Sequence, residues 1–487
     1  MFFQRFYDDG LAQSSYVIAC QQTGDAIVLD PNRDIEQYVA CAEREGFRIA
    51  IVAETHIHAD FVSGSRELAA RTGARLSLSG EGGTDWQYAF ATRDRVRVLR
   101  DGDRIDLGLV RLDVLHTPGH TPEHLAFLVT DGAASDRPLG LISGDFVFVG
   151  DVGRPDLLEK AAKVEGSMEG SARELFHSLK RFRALPDWVQ LWPGHGAGSA
   201  CGKALGAMPQ STVGYERIAN WAMAVDSEDV FVREVLSGQP DPPSYFAEMK
   251  RINREGPPVL GAAPAPPRLE ARGVAGRSGA RTGARDATRA SEALLIDVRP
   301  TDRFAAGHIP GSLNLPLGRS LASWAGWLVP YDRDLLLLAE SQEDANAAGR
   351  HCSLIGLDRI RGWFAADALD AWSAARGPLG ASVQTTPAAL EARLRHERVT
   401  ILDVRNDDEW REGHLPGAIH IPLGQLEERL TEIPQDAPLV VQCQGGTRSA
   451  IAASLLQANG IRVENLEGGF RAWAQDALPV AREPRPV

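Results

Sequence analysis

The stretch "IVAETHIHADFVSGS" (51–65) sets His56, His58 and Asp60 at alternate positions, with Phe61 directly after them. On irregular backbone, two imidazoles and a carboxylate spaced this way can turn toward one transition-metal ion. Three more stretches offer matching donors: "HTPGHTPEH" (116–124) with His120, "ISGDFVFVGDVGRPDL" (142–157) with Asp145, and "LWPGHG" (191–196) with His195. Each follows an apolar strand-like run, at the strand end where α/β folds gather ligands. A single His or Gly-Asp pair in such a place is ordinarily a turn, but four of them in this order call for a metal. A second chemistry sits in "LVVQCQGGTRSAIAASLL" (439–456), which reads strand, tight loop, helix. Cys443 opens the loop, Gln444, Gly445, Gly446 and Thr447 form it, and Arg448 closes it, with the helix expected from about Ser449. Backbone N–H groups and a helix N-terminus around a sulfur favour a thiolate, and the planar Arg448 cation suits an anionic sulfur species.

Two other cysteines divide by context. Cys20 ends the apolar run "SSYVIAC" and reads first as a small buried hydrophobe, with sulfur handling as the alternative. Cys201 lies in "GHGAGSACGKALG", downstream of His195 and close to Lys203, where a thiolate and a sulfur-handling role are expected as readily as an inert thiol. Arg154 and Asp156 of "GRPDL" either shape the pocket or form a structural ion pair.

The elements that must position these groups intermix strand and helix. "SSYVIACQQTGDAIVLDP" alternates like strands, "IEQYVACAEREG" has helical spacing, and "RIAIVAETH" is the next strand. Residues 257–290, rich in Ala, Gly, Pro and Arg, are expected to be a linker that includes the start of the next domain. Beyond it the chain repeats itself: "LLIDVRPTDRFAAGHIPGSLNLPLG" (294–318) and "TILDVRNDDEWREGHLPGAIHIPLG" (400–424) share DVR, GH, PG and PLG in one register. Each copy is long enough to be a domain. The expected organisation is a metal domain over 1–256, a first repeat domain over 291–378 and a second over 382–487.

Composition narrows the function. The 487 residues carry a net charge of −13, so no overall basic field attracts nucleic acid. Five scattered cysteines do not make a disulfide framework, and no signal peptide or membrane-length apolar run is present, so a soluble cytoplasmic protein is expected.

The four histidine and aspartate stretches in their order resemble the metallo-β-lactamase superfamily, which implies an αββα sandwich with the metal at one edge, over roughly residues 1–250. Superfamily hydrolases such as glyoxalase II carry HxHxDH, whose last histidine helps hold a second metal; Phe61 stands there and cannot coordinate. A mononuclear centre is therefore expected. "THIHAD", "HTPGHTPEH" and "SGDFVFVGDVGRPDL" look like the persulfide dioxygenase branch of that superfamily. The resemblance implies one Fe(II) per chain held by His56, His120 and Asp145, a two-histidine, one-carboxylate set with positions open for O2 and substrate. His58, Asp60 and His195 then become surrounding hydrogen-bonding or proton-handling groups, with His58 as the alternative ligand.

C-x4-R at Cys443 and Arg448, with "DVRNDDEWREGHLPGAIHIP" before it and "LEGGFRAW" after it, looks like a rhodanese domain, a sulfurtransferase carrying sulfur as a cysteine persulfide. The first copy aligns Ala339 with Cys443 and Asp344 with Arg448, so it resembles a rhodanese module without catalysis. Together the resemblances imply an α/β multidomain fusion with two parallel-sheet rhodanese-like domains. The implied reactants are a small-molecule persulfide, O2, and sulfite or thiosulfate, as in sulfide detoxification. A homo-oligomer is expected, the silent module offering a contact surface. Two alternatives stay open: a glyoxalase II-like thioester hydrolase fused to a sulfurtransferase, and a non-enzymatic sulfur carrier or sensor.

Overall fold

In the computed structural model, which describes residues 1–160, 166–203, 205–262, 264–277 and 293–482, the chain forms two compact units. One is Met1–Ala263 with Ser353–Gly356; the other is Pro264–Cys352 with Leu357–Val487. Among the described residues no helix is long and apolar enough to cross a membrane.

The first unit is built on two six-stranded sheets. One runs, in spatial order, Phe2–Asp8, Gln13–Ala19, Asp25–Leu29, Arg48–Ala53, Arg75–Ser79 and Arg97–Leu99, antiparallel at first and parallel from Asp25–Leu29 onward. The other runs Ser211–Thr212, Gln190–Pro193, Gly140–Gly144, Leu125–Asp131, Val110–His116 and Arg104–Leu107. Side chains alternate across a strand, and the alternation decides the layering. Tyr16 and Ile18 of Gln13–Ala19 join Ile27 and Leu29, and meet Leu112, Phe127 and Ile142 of the opposite sheet in the central core. Their neighbours Val17 and Ala19 turn the other way, under Tyr38, Val39 and Ala42 of the helix Glu36–Glu45 and Leu68 of the helix Ser65–Thr72. On the far face, Leu175, Leu179 and Phe182 of the helix Met168–Arg183 pack with Phe231 and Val235 of the helix Glu228–Leu236. Helices cover both outer faces, so the unit is an αββα sandwich.

The second unit holds two all-parallel sheets. The first has the order Leu313–Asn314, Leu294–Asp297, Leu335–Leu338, Ile360–Phe364. The second has Ile419–His420, Thr400–Asp403, Leu439–Gln442, Glu464–Leu466 and, as a fifth strand, Val383–Thr385. The internal repeat thus folds twice into one topology. In the first copy the fifth-strand position is taken by residues before the sheet: Arg268 bridges to Trp363, Leu269 N–H donates to Trp363 O at 2.8 Å, and Trp363 N–H donates to Pro267 O at 2.9 Å. The stretch expected to be a linker is therefore divided. Residues 264–277 are built into the module, with Val274 fully buried in its core, while 278–290 lie outside the described residues.

The shared DVR tripeptide explains the shared frame. Asp297 and Arg299 form a buried multidentate pair, and Arg299 reaches on to Gly307 O; Asp403 and Arg405 repeat this, with Arg405 donating to Gly413 O at 2.7 Å. Each pair ties the end of the first strand of its copy to the GH turn. Removing one partner leaves a buried uncompensated charge, which costs about 3–5 kcal/mol. Asp403→Asn is therefore expected to lower the stability of the last module by about 3 kcal/mol, read as accelerated amide exchange across Thr400–Asp403 in the full chain.

Candidate metal centre and sulfur loop

The helical cover and the strand ends bring distant segments of the first unit to one buried point. One donor atom from each of His56, His120 and Asp145 lies within 4.8 Å of the others, and all three residues are buried. His56 Nε2 stands 3.9 Å and His120 Nε2 3.6 Å from Asp145 Oδ2. Hydrogen bonds to the far ring nitrogens fix this. Thr55 Oγ1 donates to Asp30 Oδ2 at 2.9 Å, so it accepts from His56 Nδ1, also at 2.9 Å; His120 Nδ1 donates to Arg154 O at 3.1 Å. Both Nε2 atoms are then left as lone pairs, the tautomer a metal ligand needs. Burial holds the His120 imidazole below its ordinary pKa, and burial reinforced by the neighbouring imidazoles holds His56 far below it, so both are neutral. Both carboxylate oxygens of Asp145 are buried without a hydrogen bond. Unpaired lone pairs converging in a buried pocket repel one another, and a bound cation removes the repulsion. The residues present fit a divalent metal.

A second set adjoins the first. Donor atoms of Asp60, His195 and Cys201 also lie within 4.8 Å of one another. His195 Nδ1 donates to Ala12 O at 3.0 Å, so its Nε2 faces Asp60 Oδ2 at 3.2 Å and Asp145 Oδ1 at 3.5 Å. Phe61 is fully buried, its ring 4.4 Å from that of His58, so the position that could have held another imidazole is filled by an apolar ring. Cys201 does not meet the expectation of a stabilised thiolate: burial and the carboxylates of Asp60 and Asp145 push its thiol far up, and Lys203 Nζ donates instead to Ser237 O at 2.7 Å. His58 places Nε2 3.2 Å from Asp30 Oδ1 and is not among the converging donors; burial opposes its charge, but Asp30, Asp60 and Glu54 outweigh that and raise it to about 9. Cys20 belongs to the sandwich core and to neither set; burial opposes ionisation, yet the backbone N–H groups of Leu109, Thr23 and Gln22 bring it down to about 7.

Several further residues position these donors, and of them Asp30 and Asn253 lie outside the metal motifs. Asp30 accepts from Thr55 N–H, Thr55 Oγ1 and His58, and so orients both histidines of the HxHxD stretch. His124 Nδ1 bonds Thr117 Oγ1, and its Nε2 accepts from the backbone N–H of Asp145. Gly194 packs so closely that a Cβ there would come 2.6 Å from Asp145 Oδ1. Arg154, fully buried, pairs with Asp156, donates to Ala200 O and Pro240 O, and takes the carbonyl of Cys201 through its own N–H, so it joins the His120 support to the Cys201 loop. Asn253, on the helix Phe246–Glu255, clamps the metal loop: its Nδ2 donates to His58 O and Phe61 O, and its Oδ1 accepts from Ser63 N–H.

In the last module Cys443 follows the strand Leu439–Gln442, and the helix begins at Thr447, two residues before the expected start. Gly446 N–H donates to Cys443 Sγ at 3.1 Å. Arg448 closes the loop by a bidentate pair with Glu409, both contacts 2.6 Å. Arg405 donates to Gln444 Oε1 at 3.2 Å and lies over the Phe470 ring. Gly469 has φ of +58°, and a Cβ there would sit 2.1 Å from Cys443 O, so only glycine lets this segment press against the loop. In the first copy Ala339 follows the strand Leu335–Leu338, Asp344 accepts into its own helix start from Ser341 Oγ, and Cys352 is buried within the helix Gln342–Leu354.

Supports of this kind typically cost 10–100-fold in metal affinity when removed. Asn253→Ala is expected to weaken metal binding about tenfold, measured by chelator competition on metal-loaded protein, with the αββα fold kept.

Comparison with known proteins agrees with this architecture. The model of the metallo-beta-lactamase superfamily matches residues 8–195, and that of the rhodanese-like domain matches twice, at 282–374 and 386–476. The crystal structure of a metallo-beta-lactamase from Staphylococcus aureus is 40% identical, covering 75% of this chain and 99% of that one at a TM-score of 0.65. A hydroxyacylglutathione hydrolase of Rhodospirillum rubrum is 32% identical over 37% of this chain, which spans 60% of that protein's length. The uncharacterized protein YqhL of Bacillus subtilis is 42% identical over 17% of this chain and 67% of its own. The chain belongs to the metallo-beta-lactamase superfamily through its first unit and carries two rhodanese-like domains in its second.

Proposed function

We propose that the chain is a persulfide dioxygenase fused to a sulfurtransferase, with one ferrous ion held by His56, His120 and Asp145. The observation that carries the reading is the buried Phe61 beside a converging two-histidine, one-carboxylate set. Such a set leaves coordination positions open, whereas a dinuclear hydrolytic centre needs a further nitrogen donor that Phe61 cannot give. When bound, iron supplies the activation of O2 by which RSSH, O2 and water yield RSH, sulfite and two protons. The chain's own residues bind and orient. Thr55 and the Arg154 carbonyl hold the imidazoles in register, Asp30 holds His58, and the buried Phe61 and Phe148 exclude bulk water. Asp60 and His195, two groups 3.2 Å apart, are placed to take up and pass on protons. A sulfur-handling role for Cys201 acts through a neutral thiol, in keeping with its raised pKa.

In the last module the Cys443 thiolate attacks the outer sulfur of thiosulfate. The S–S bond breaks, sulfite leaves with the bonding pair, and Cys443 is left as a persulfide anion; the reverse transfer makes thiosulfate. Gly446 N–H donates to the sulfur throughout. Ala339 in the first copy offers no nucleophile, so that module is structural.

A thioester hydrolase is the second reading, favoured by the retained Asp60, His195 and Cys201 set and by the name of the R. rubrum relative. Elemental analysis of anaerobically purified protein with an oxygen-electrode trace on glutathione persulfide separates the two. About one iron per chain and persulfide-dependent O2 uptake are expected; two zincs and cleavage of acyl-glutathione without O2 overturn the proposal. His120→Ala is expected to abolish O2 consumption, while Cys443→Ser leaves it intact and removes sulfur transfer, assayed as sulfite and thiosulfate.

A further inference from the structure

Three guanidinium groups surround the Cys443 loop, and two of them are already committed. Arg448 spends both terminal nitrogens on Glu409, and Arg405 is held by Asp403, Gly413 O, Gln444 Oε1 and the face of Phe470. The residue that C-x4-R marks for an anion therefore closes the loop and does not wait open at its mouth. Arg471 is different. Its backbone N–H donates to Gln444 O at 3.0 Å, tethering it to the loop. Its Nη2 lies 3.9 Å from where a Gly445 side chain would begin, and among the described residues no other atom outside 444–446 comes within 4 Å of that point. Arg471 and Gly445 are both exposed, and among the described residues the Arg471 guanidinium has no hydrogen bond and no ion pair.

The internal repeat supplies a second, independent observation. Counting back from Trp473 and Trp372, Arg471 corresponds to Asp370, and exposure follows the same order in both copies: buried at Gly469 and Ala368, half-buried at Phe470 and Leu369, exposed at Arg471 and Asp370. The copy with Ala339 in place of Cys443 thus carries an acid where the other carries the free cation. Nucleophile and cation are present together or absent together.

We propose that Arg471, at the open Gly445 rim, forms the recognition site for the sulfonate end of the sulfur donor or acceptor, thiosulfate or sulfite. The inference rests on the sulfurtransferase reading of Cys443. The three oxygens carry negative charge before, during and after transfer, so the guanidinium binds ground state and transition state alike. Such uniform binding appears in KM and not in kcat.

The test uses the full-length protein with thiosulfate as donor and saturating cyanide as acceptor, comparing wild type with Arg471→Gln, Arg471→Lys and Arg471→Glu. Arg471→Gln is expected to raise the KM for thiosulfate about fivefold at unchanged kcat, the scale of one exposed ion pair. Glutamate raises it further, lysine recovers most of the loss, and the steep rise of wild-type KM with salt flattens in the glutamine variant. An unchanged KM and salt dependence in Arg471→Gln overturns the proposal, as does a fall in kcat that lysine does not recover. Intact-mass detection of one added sulfur on Cys443 keeps the two claims apart. If wild type never gains it from thiosulfate, the sulfurtransferase reading fails and this inference with it; if wild type and Arg471→Gln gain it at the same thiosulfate concentrations, only the role of Arg471 fails.

Discussion

The first unit depends on one electrostatic constraint: lone pairs of His56, His120 and Asp145 aimed at a common point inside a buried pocket. An arrangement of this kind is costly in isolation, because no hydrogen bond compensates the desolvated donors. It persists through groups that hold each donor from behind. Asp30 acts on His56 through Thr55, the Arg154 carbonyl acts on His120, and His124 acts on Asp145 through its backbone N–H. These supports come from the ends of different strands and from loops, so the sandwich must be complete before the site exists. Strain is then relieved by the cation and not by relaxation of the frame, which couples metal binding to folding of the unit.

The second unit shows the same separation of frame from chemistry, twice over. Both copies keep the buried Asp–Arg pair and the stacked histidine of the GH turn, His308 on Phe304 and His414 on Trp410. These fix the sheet and its first turn whatever the loop contains. The loop is then free to differ: Ala339 with Ser341 and Asp344 in one copy, Cys443 with Gly446 and Arg448 in the other. The two copies also meet inside the unit, where Asn314 N–H donates to Ser454 Oγ on the helix behind the Cys443 loop. A module without a nucleophile thereby supports the helix of the one that has it.

How much of this was legible in the sequence follows the range of each interaction. Strand alternation and the DVR…GH…PLG repeat are local patterns, so the mixing of strands with helices and the two repeated domains could be read from them, while the αββα and parallel-sheet architecture came from the resemblance of the motifs to known families. The strand-end positions of His56, His120, Asp145, His195 and Cys443 could also be read. Asn253 could not, since it clamps the metal loop from a helix nearly two hundred residues along the chain, beyond the last motif. Nor could the capture of Arg448 by Glu409, which sits in a different helix, or the commitment of Lys203 to Ser237 O and away from Cys201. In each case the residue type was visible and its partner was not, and the partner decides whether a charge is spent or free. The 257–290 stretch shows the same limit: its composition reads as linker, but Leu269 and Val274 share a core with Phe364 of the strand Ile360–Phe364, some ninety residues further along the chain.

Under the proposed chemistry the two sites differ in charge in a way that sorts their reactants. Asp30, Asp60 and Asp145 lie around the metal pocket; burial first, and the neighbouring carboxylates after it, raise the pKa values of Asp60 and Cys201. These carboxylates repel a doubly charged sulfite more than a persulfide that binds neutral, against the attraction of the ion the site would hold. The Cys443 loop is the reverse, with a sulfur held by a backbone N–H, cations on its sides and Arg471 at its exposed rim. Joining the two sites on one chain raises the local concentration of an intermediate that they share.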